Sequence, residues 1–280
     1  MKLNMFLRFA EKTVPAFAAL IIIMSLLGCG KKNDSVVAPP SDSTSVPTLP
    51  GWELVWHDEF DSTGIDRTKW NFEVNGDGGG NNELEYYTAN PENAYVDSGC
   101  LVIQALKQNY LGKSYTSARM TTEGKGDWTY GRIEARAFLP FGQGLWPAIW
   151  MMPTDSYYGG WPLSGEIDIM EMLGQQANKI YGTIHFGQPE QSRQGSYVLA
   201  QGYFCGDFHT FAVEWDSSSI SWFVDSSMYY KTYITKPFDK RFFLILNVAV
   251  GGNWPGSPDY TTVFPQKMLV DYVRVYRRKN

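Results

Sequence analysis

The sequence predicts an all-β fold of two packed antiparallel sheets. From Gly51 onward, short runs rich in Val, Ile and aromatic residues recur, and Gly, Pro, Asn and Asp separate them. No segment after Gly51 sustains a 3.6-residue apolar period, so the runs cannot be turns of an amphipathic helix. Residues 51–280 show no further low-complexity break and no repeat, which suits one large domain rather than two small ones.

The chain begins differently. Lys2, Arg8 and Lys12 precede the apolar run from Val14 to Leu27, the charged and hydrophobic regions of an export signal. That run is shorter than the roughly 20 apolar residues of a membrane span. "LLGC", Leu26 to Cys29, resembles the bacterial lipoprotein signal, in which the cysteine is lipidated and becomes the new N-terminus. Residues 1–29 are thus expected to be a lipoprotein-type signal peptide ending at Cys29. The product would be exported and lipid-anchored to a bacterial membrane, at the cell surface or the periplasmic face. Residues 30–50 are rich in Pro, Ser, Thr and Val without periodic apolar positions, so they read as a disordered linker.

Within residues 51–280 the expected strands follow in order. They are "WELVWHDEF", "CLVIQAL", "GRIEARAFL", "GEIDIMEM", "KIYGTIHF", "HTFAVEW", "SISWFVD", "FFLILNVAV" and "LVDYVRVY". "GDGGGNN" has no following Lys-Ser/Thr and no helix, so it is a glycine-rich loop rather than a phosphate cradle. All 10 tryptophans lie in this part of the chain, and the net charge is −5, so a nucleic-acid partner is excluded and stacking on sugar rings is favoured. His57, His185 and His209 are scattered without zinc-site spacing. Cys100 and Cys205 could pair in an oxidising compartment, but two cysteines give no framework, and Cys100 in "GCLVI" also reads as a small apolar filler. The domain is expected to act as a monomer.

"SGEIDIMEM", residues 164–172, carries the chemistry. In a regular strand Glu166 and Asp168 share a face while Glu171 falls on the other. One extra residue bulged out at Ile169 or Met170 flips the register, and the three acids then form one row. Glu166 and Glu171 would stand roughly 13 Å apart at the backbone, and their side chains could lean to about 5 to 5.5 Å, the separation of a retaining glycosidase. Asp168 between them raises the cost of ionising all three and helps keep one glutamate protonated.

"GEIDIMEMLG" resembles the active-site strand of glycoside hydrolase family 16, in the form one residue longer than the "EIDIE" of lichenases, which is typical of laminarinase-like endo-β-1,3-glucanases. "LVWHDEFD", "GNNELEYYT", "YTSARM", "YGRIEARAFLPFGQGLWPAIWMMP", "YGTIHFG", "DFHTFAVEW", "LILNVAVGGNWPG" and "FPQKMLVDYVRVY" extend the likeness over the domain. The resemblance implies a concanavalin A-like antiparallel β-jelly-roll sandwich with a concave glycan-binding cleft. It implies Glu166 as nucleophile, Glu171 as acid/base and Asp168 as assistant, with Asn82, Arg119, Trp146, Trp150, Trp161, His185 and Asn247 binding substrate. A structural calcium held by oxygens near Glu59, Gly99 and Asp271 is also implied, and no cofactor is required for catalysis. The expected reaction is retaining endo-hydrolysis of laminarin-type β-1,3-glucan. Mixed-linkage glucan, a marine galactan such as agar or carrageenan, and a non-catalytic lectin-like role are the alternatives.

Overall fold

The computed structural model describes residue 46 and residues 48–279. The expected signal peptide, Cys29 and most of the linker lie outside the described residues. Two sheets of 8 strands each pack face to face, and the strands are numbered in chain order.

The outer sheet contains β1 (Trp52–Asp58), β4 (Ala94–Asp97), β5 (Cys100–Ala105), β9 (Gly131–Phe138), β14 (His209–Trp215), β15 (Ser219–Val224), β16 (Ser227–Tyr233) and β18 (Gln266–Arg278). Its order is β16-β15-β14-β9-β18-β5-β4, and β1 lies along the second half of β18. The inner sheet contains β2 (Asn71–Glu73), β7 (Arg119–Thr121), β8 (Asp127–Trp128), β10 (Leu145–Pro153), β11 (Glu166–Glu171), β12 (Lys179–Phe186), β13 (Gln191–Val198) and β17 (Phe242–Val250). Its order is β13-β12-β11-β10-β17-β7-β2, with β8 against the start of β17. A short parallel pair, β3 (Glu85–Tyr87) and β6 (Tyr115–Ser117), stands apart. Every pairing within the two large sheets is antiparallel, giving the expected jelly-roll sandwich.

Strand periodicity decides what lies between the sheets. Along β17, Phe242, Leu244, Leu246, Val248 and Val250 enter the core, while Asn247 and Ala249 line a cleft on the opposite face. On β10, Ile149 and Met151 enter the core, and Trp146, Ala148, Trp150 and Met152 line the cleft. The inner sheet is therefore apolar towards its partner and lines a cleft on its solvent face. On β9, Ile133, Ala135 and Ala137 enter the core, while Arg132 on the far face pairs with Glu134 at 2.8 Å and Glu214 at 3.0 Å. Cys100 is a free buried thiol packed with Phe208, so a Cys100–Cys205 disulfide does not form.

Candidate active site

The local structure of β11 sets the site. Against β10, Trp150 opposes Asp168 and Ile149 opposes Met170, so Ile169 is the extra residue. Against β12, Asp168 opposes Thr183 and Glu171 opposes Tyr181, and the one residue between them on β12 is Gly182. Ile167, Ile169 and Met170 all sit in the core, whereas Glu166, Asp168 and Glu171 all line the cleft. The bulge brings the late glutamate back to the face of the first two acids.

Trp222 of the outer sheet pins this irregular backbone by donating its indole N–H to the Asp168 carbonyl at 2.8 Å. A Cβ on Gly182 would collide with that indole, so a glycine is needed opposite the bulge. The same chain irregularity that turns Glu171 outward is thus held from behind by a residue that never reaches the cleft.

The three carboxyls have distinct surroundings. Burial pushes Glu171 up to about 8, and the Glu166 charge pushes the same way, against hydrogen bonds from Trp146 and Thr183. The Trp146 indole lies 3.0 Å from Glu171 Oε1. Burial also raises Asp168, reinforced by the charges of Glu171 and Glu166, well above the ordinary aspartate range. Burial raises Glu166 as well, but His185, the Trp161 indole, Asp168 and Arg119 all favour its anion. The Trp161 indole N–H donates to Glu166 Oε2. All three are raised, but Glu166 has the most groups favouring its anion and is the readiest of the three to ionise, while Glu171 holds its proton to about 8. That division of one anion and one acid is what double displacement requires.

The cleft has a volume of about 610 Å³, and Arg119, Trp146, Trp150, Trp161, His185 and Asn247 all line it. Trp150 donates to Asn247 Oδ1 at 2.7 Å, and Asn247 donates to the Tyr87 hydroxyl at 3.1 Å, which in turn donates to Glu83 at 2.9 Å. Arg119 stacks over the rings of Tyr87 and Trp150 and pairs with Glu73 at 3.3 Å. His185 Nδ1 is 2.8 Å from Glu190, and its Nε2 faces Asp168 at 3.5 Å.

Asn82 departs from expectation. It is exposed, lies outside the residues lining the cleft, and donates its amide to Asn253 at 2.9 Å. Its backbone is left-handed, with φ of 59°, and this turn presents the neighbouring Asn81 to the cleft instead. Sequence reasoning also missed Trp254, which packs edge-on against Trp146 at 5.5 Å and lines the cleft. A tryptophan inside the Gly/Pro turn "GGNWPG" was the available signal, since such a turn has no core to receive it. Glu190 and Gln194 lie in a polar stretch that carried no comparable signal.

β18 gathers the segments expected to hold calcium, with Val273 opposite Asp58 and Val270 opposite Leu101. The carboxylates there are engaged by arginines. Glu59 forms a two-point pair with Arg274 at 3.0 and 2.7 Å, and Asp271 is held by Arg136 at 2.7 Å. Gly99 offers only its backbone carbonyl.

A β-sandwich with an aromatic cleft and a row of three carboxyls of unequal acidity defines a glycoside hydrolase. The chain belongs to the glycosyl hydrolases family 16, whose pattern it matches over residues 81–274. It is 47% identical over 247 residues to the beta-glucanase of Rhodothermus marinus, covering 81% of this chain and 86% of that protein. Among solved structures it resembles the laminarinase of Rhodothermus marinus, with a TM-score of 0.79, 46% identity and coverage of 83% of this chain and 100% of that one. The laminarinase catalytic domain of Thermotoga maritima gives a TM-score of 0.77 at 49% identity, covering 82% and 99% of the two chains.

Proposed function

We propose that the protein is a retaining endo-glycoside hydrolase that cleaves laminarin-type β-1,3-glucan. The observation that carries this reading is the bulge-aligned acid row, in which more groups favour the Glu166 anion than the Glu171 anion and Glu171 is pushed up to about 8. In the first step a Glu166 oxygen bonds to the anomeric carbon as the glycosidic C–O bond breaks, and the leaving oxygen takes the Glu171 proton. In the second, Glu171 takes a proton from water as the water oxygen attacks that carbon and releases Glu166. Protonated Asp168 donates to Glu166 and orients it. No cofactor enters either step.

The glucan reading draws support from the lining. Seven carboxyl-bearing residues, Glu73, Asp77, Glu83, Glu166, Asp168, Glu171 and Glu190, face only Arg119 and His185, so a sulfated polymer such as carrageenan would be repelled. Trp146, Trp150, Trp161 and Trp254 offer flat apolar rings to neutral pyranoses. A lectin-like module needs those rings but no acid pair, and the relatives named as laminarinases and beta-glucanase favour the enzyme.

The test compares reducing-sugar release from laminarin, lichenan and agarose by wild type, Glu166→Gln and Glu171→Gln. Laminarin is expected to be the preferred substrate. Each substitution should abolish hydrolysis with an unchanged circular dichroism spectrum, and a variant of wild-type rate would refute the role given to that residue.

The same proposal places the enzyme outside the bacterial cytoplasm as a monomer tethered through lipidated Cys29, on the strength of the "LLGC" stretch and the linker behind it. Cys29→Ala should move activity from the membrane fraction to the soluble fraction, and an unchanged distribution would refute the anchor.

A further inference from the structure

Glu166, Asp168 and His185 each turn a donor atom to one point, and the three atoms lie within 4.8 Å of one another. Among the described residues no other three acid, thiol or imidazole groups converge in this way. His185 Nε2 and Asp168 Oδ2 are already 3.5 Å apart. Two donors bound about 2.1 Å from a tetrahedral ion stand roughly 3.4 Å apart, so the Asp168–His185 pair already has the spacing of two ligands.

Two further features mark the point as a ligand site rather than a crowd of acids. Asp168 is 2% exposed, and its Oδ2, buried and facing the cluster, has no hydrogen-bond partner. His185 is braced from behind, because Glu190 takes its Nδ1 at 2.8 Å and leaves Nε2 towards Asp168. A carboxylate behind an imidazole fixes ring and tautomer and raises the basicity of the free nitrogen, as it does for metal-bound histidines.

We propose that Glu166, Asp168 and His185 form a binding site for a divalent transition cation, with zinc as the probe, and that the ion shuts the enzyme reversibly by capping Glu166. One imidazole and two carboxylates suit zinc and its neighbours, whereas calcium and magnesium seek oxygen alone. The ion is an inhibitor here, with no part in either step of hydrolysis. The inhibition rests on Glu166 being the nucleophile, but the binding does not.

The test is calorimetric titration of the full chain with zinc chloride in a non-chelating buffer, beside a laminarin assay with zinc and then excess EDTA. Cobalt(II) absorption gives a spectroscopic readout independent of activity. Wild type should bind zinc at this site, lose hydrolysis as it fills, and regain it with EDTA. His185→Asn should weaken that binding at least 100-fold and abolish the cobalt bands, while Glu190→Gln, which removes the carboxylate bracing His185 Nδ1, should weaken it about 10- to 100-fold. Unchanged zinc affinity in both folded variants would overturn the site. Zinc bound at this site with hydrolysis unaffected would overturn the inhibition and, with it, the role of Glu166.

Discussion

In the proposed mechanism Glu171 is the acid, and its surroundings make ionisation costly. It is 9% exposed, and beyond Asp168 in the same row stands Glu166, whose negative charge is favoured by His185, Trp161 and Arg119. Its proton is held until about pH 8, so kcat/KM should fall as pH rises through that value, roughly tenfold per unit once the acid form is lost. Stability shifts in the same direction. The folded pKa lies above that of an unfolded glutamate, so the folded state binds the extra proton between about 4.5 and 8 and loses that advantage as pH climbs. Glu171→Gln, which cannot ionise, should match wild type in Tm near pH 4 and exceed it near pH 9, as thermal melts across pH would read. An equal difference at both ends would show that Glu171 is not held protonated. The three acids were legible as residues because no solvated strand gathers them between such apolar neighbours. Asn82 was not, since a left-handed turn that exchanges it with Asn81 is decided by the loop's path rather than by residue type.

At the scale of elements, one extra residue does the positioning. Spacing alone narrowed the bulge to Ile169 or Met170, and pairing with β10 resolves it to Ile169. Nothing in the strand's own sequence shows the devices that hold it, namely Trp222 reaching across the core and Gly182 making room for it. Gly182→Ala should therefore overpack the interior by about 1–3 kcal/mol and lower kcat by shifting Glu171, although residue 182 lies outside the cleft lining. Chemical denaturation and steady-state kinetics would check both, and a variant of wild-type stability and rate would show that the bulge has room to spare. All nine expected strands are present, because each carries β-branched or aromatic residues that pack on at least one face. β13, "QSRQGSYV", escaped notice for the opposite reason: it is a mostly exposed edge strand whose polar residues give no alternation to read.

Across the whole molecule the two sheets divide their labour. The outer sheet spends its solvent face on ion pairs such as Arg132 with Glu134 and Glu214, and on the Arg274 and Arg136 pairs that claim Glu59 and Asp271. The inner sheet gives its solvent face to tryptophans, amides and the acid row. The sandwich was legible because β-branched and aromatic runs recur between turn signals, and the resemblance to family 16 pointed to the cleft face through Trp146 and Trp150. The arginine pairs were not, since they join residues far apart in the chain, such as Glu59 and Arg274. The central claim, that a bulge sets Glu166 and Glu171 on one face for double displacement, is tested most directly by proton NMR of the first sugar released from laminarin. The β-anomer should appear first and equilibrate to the α-anomer by mutarotation, and initial release of the α-anomer would contradict the account.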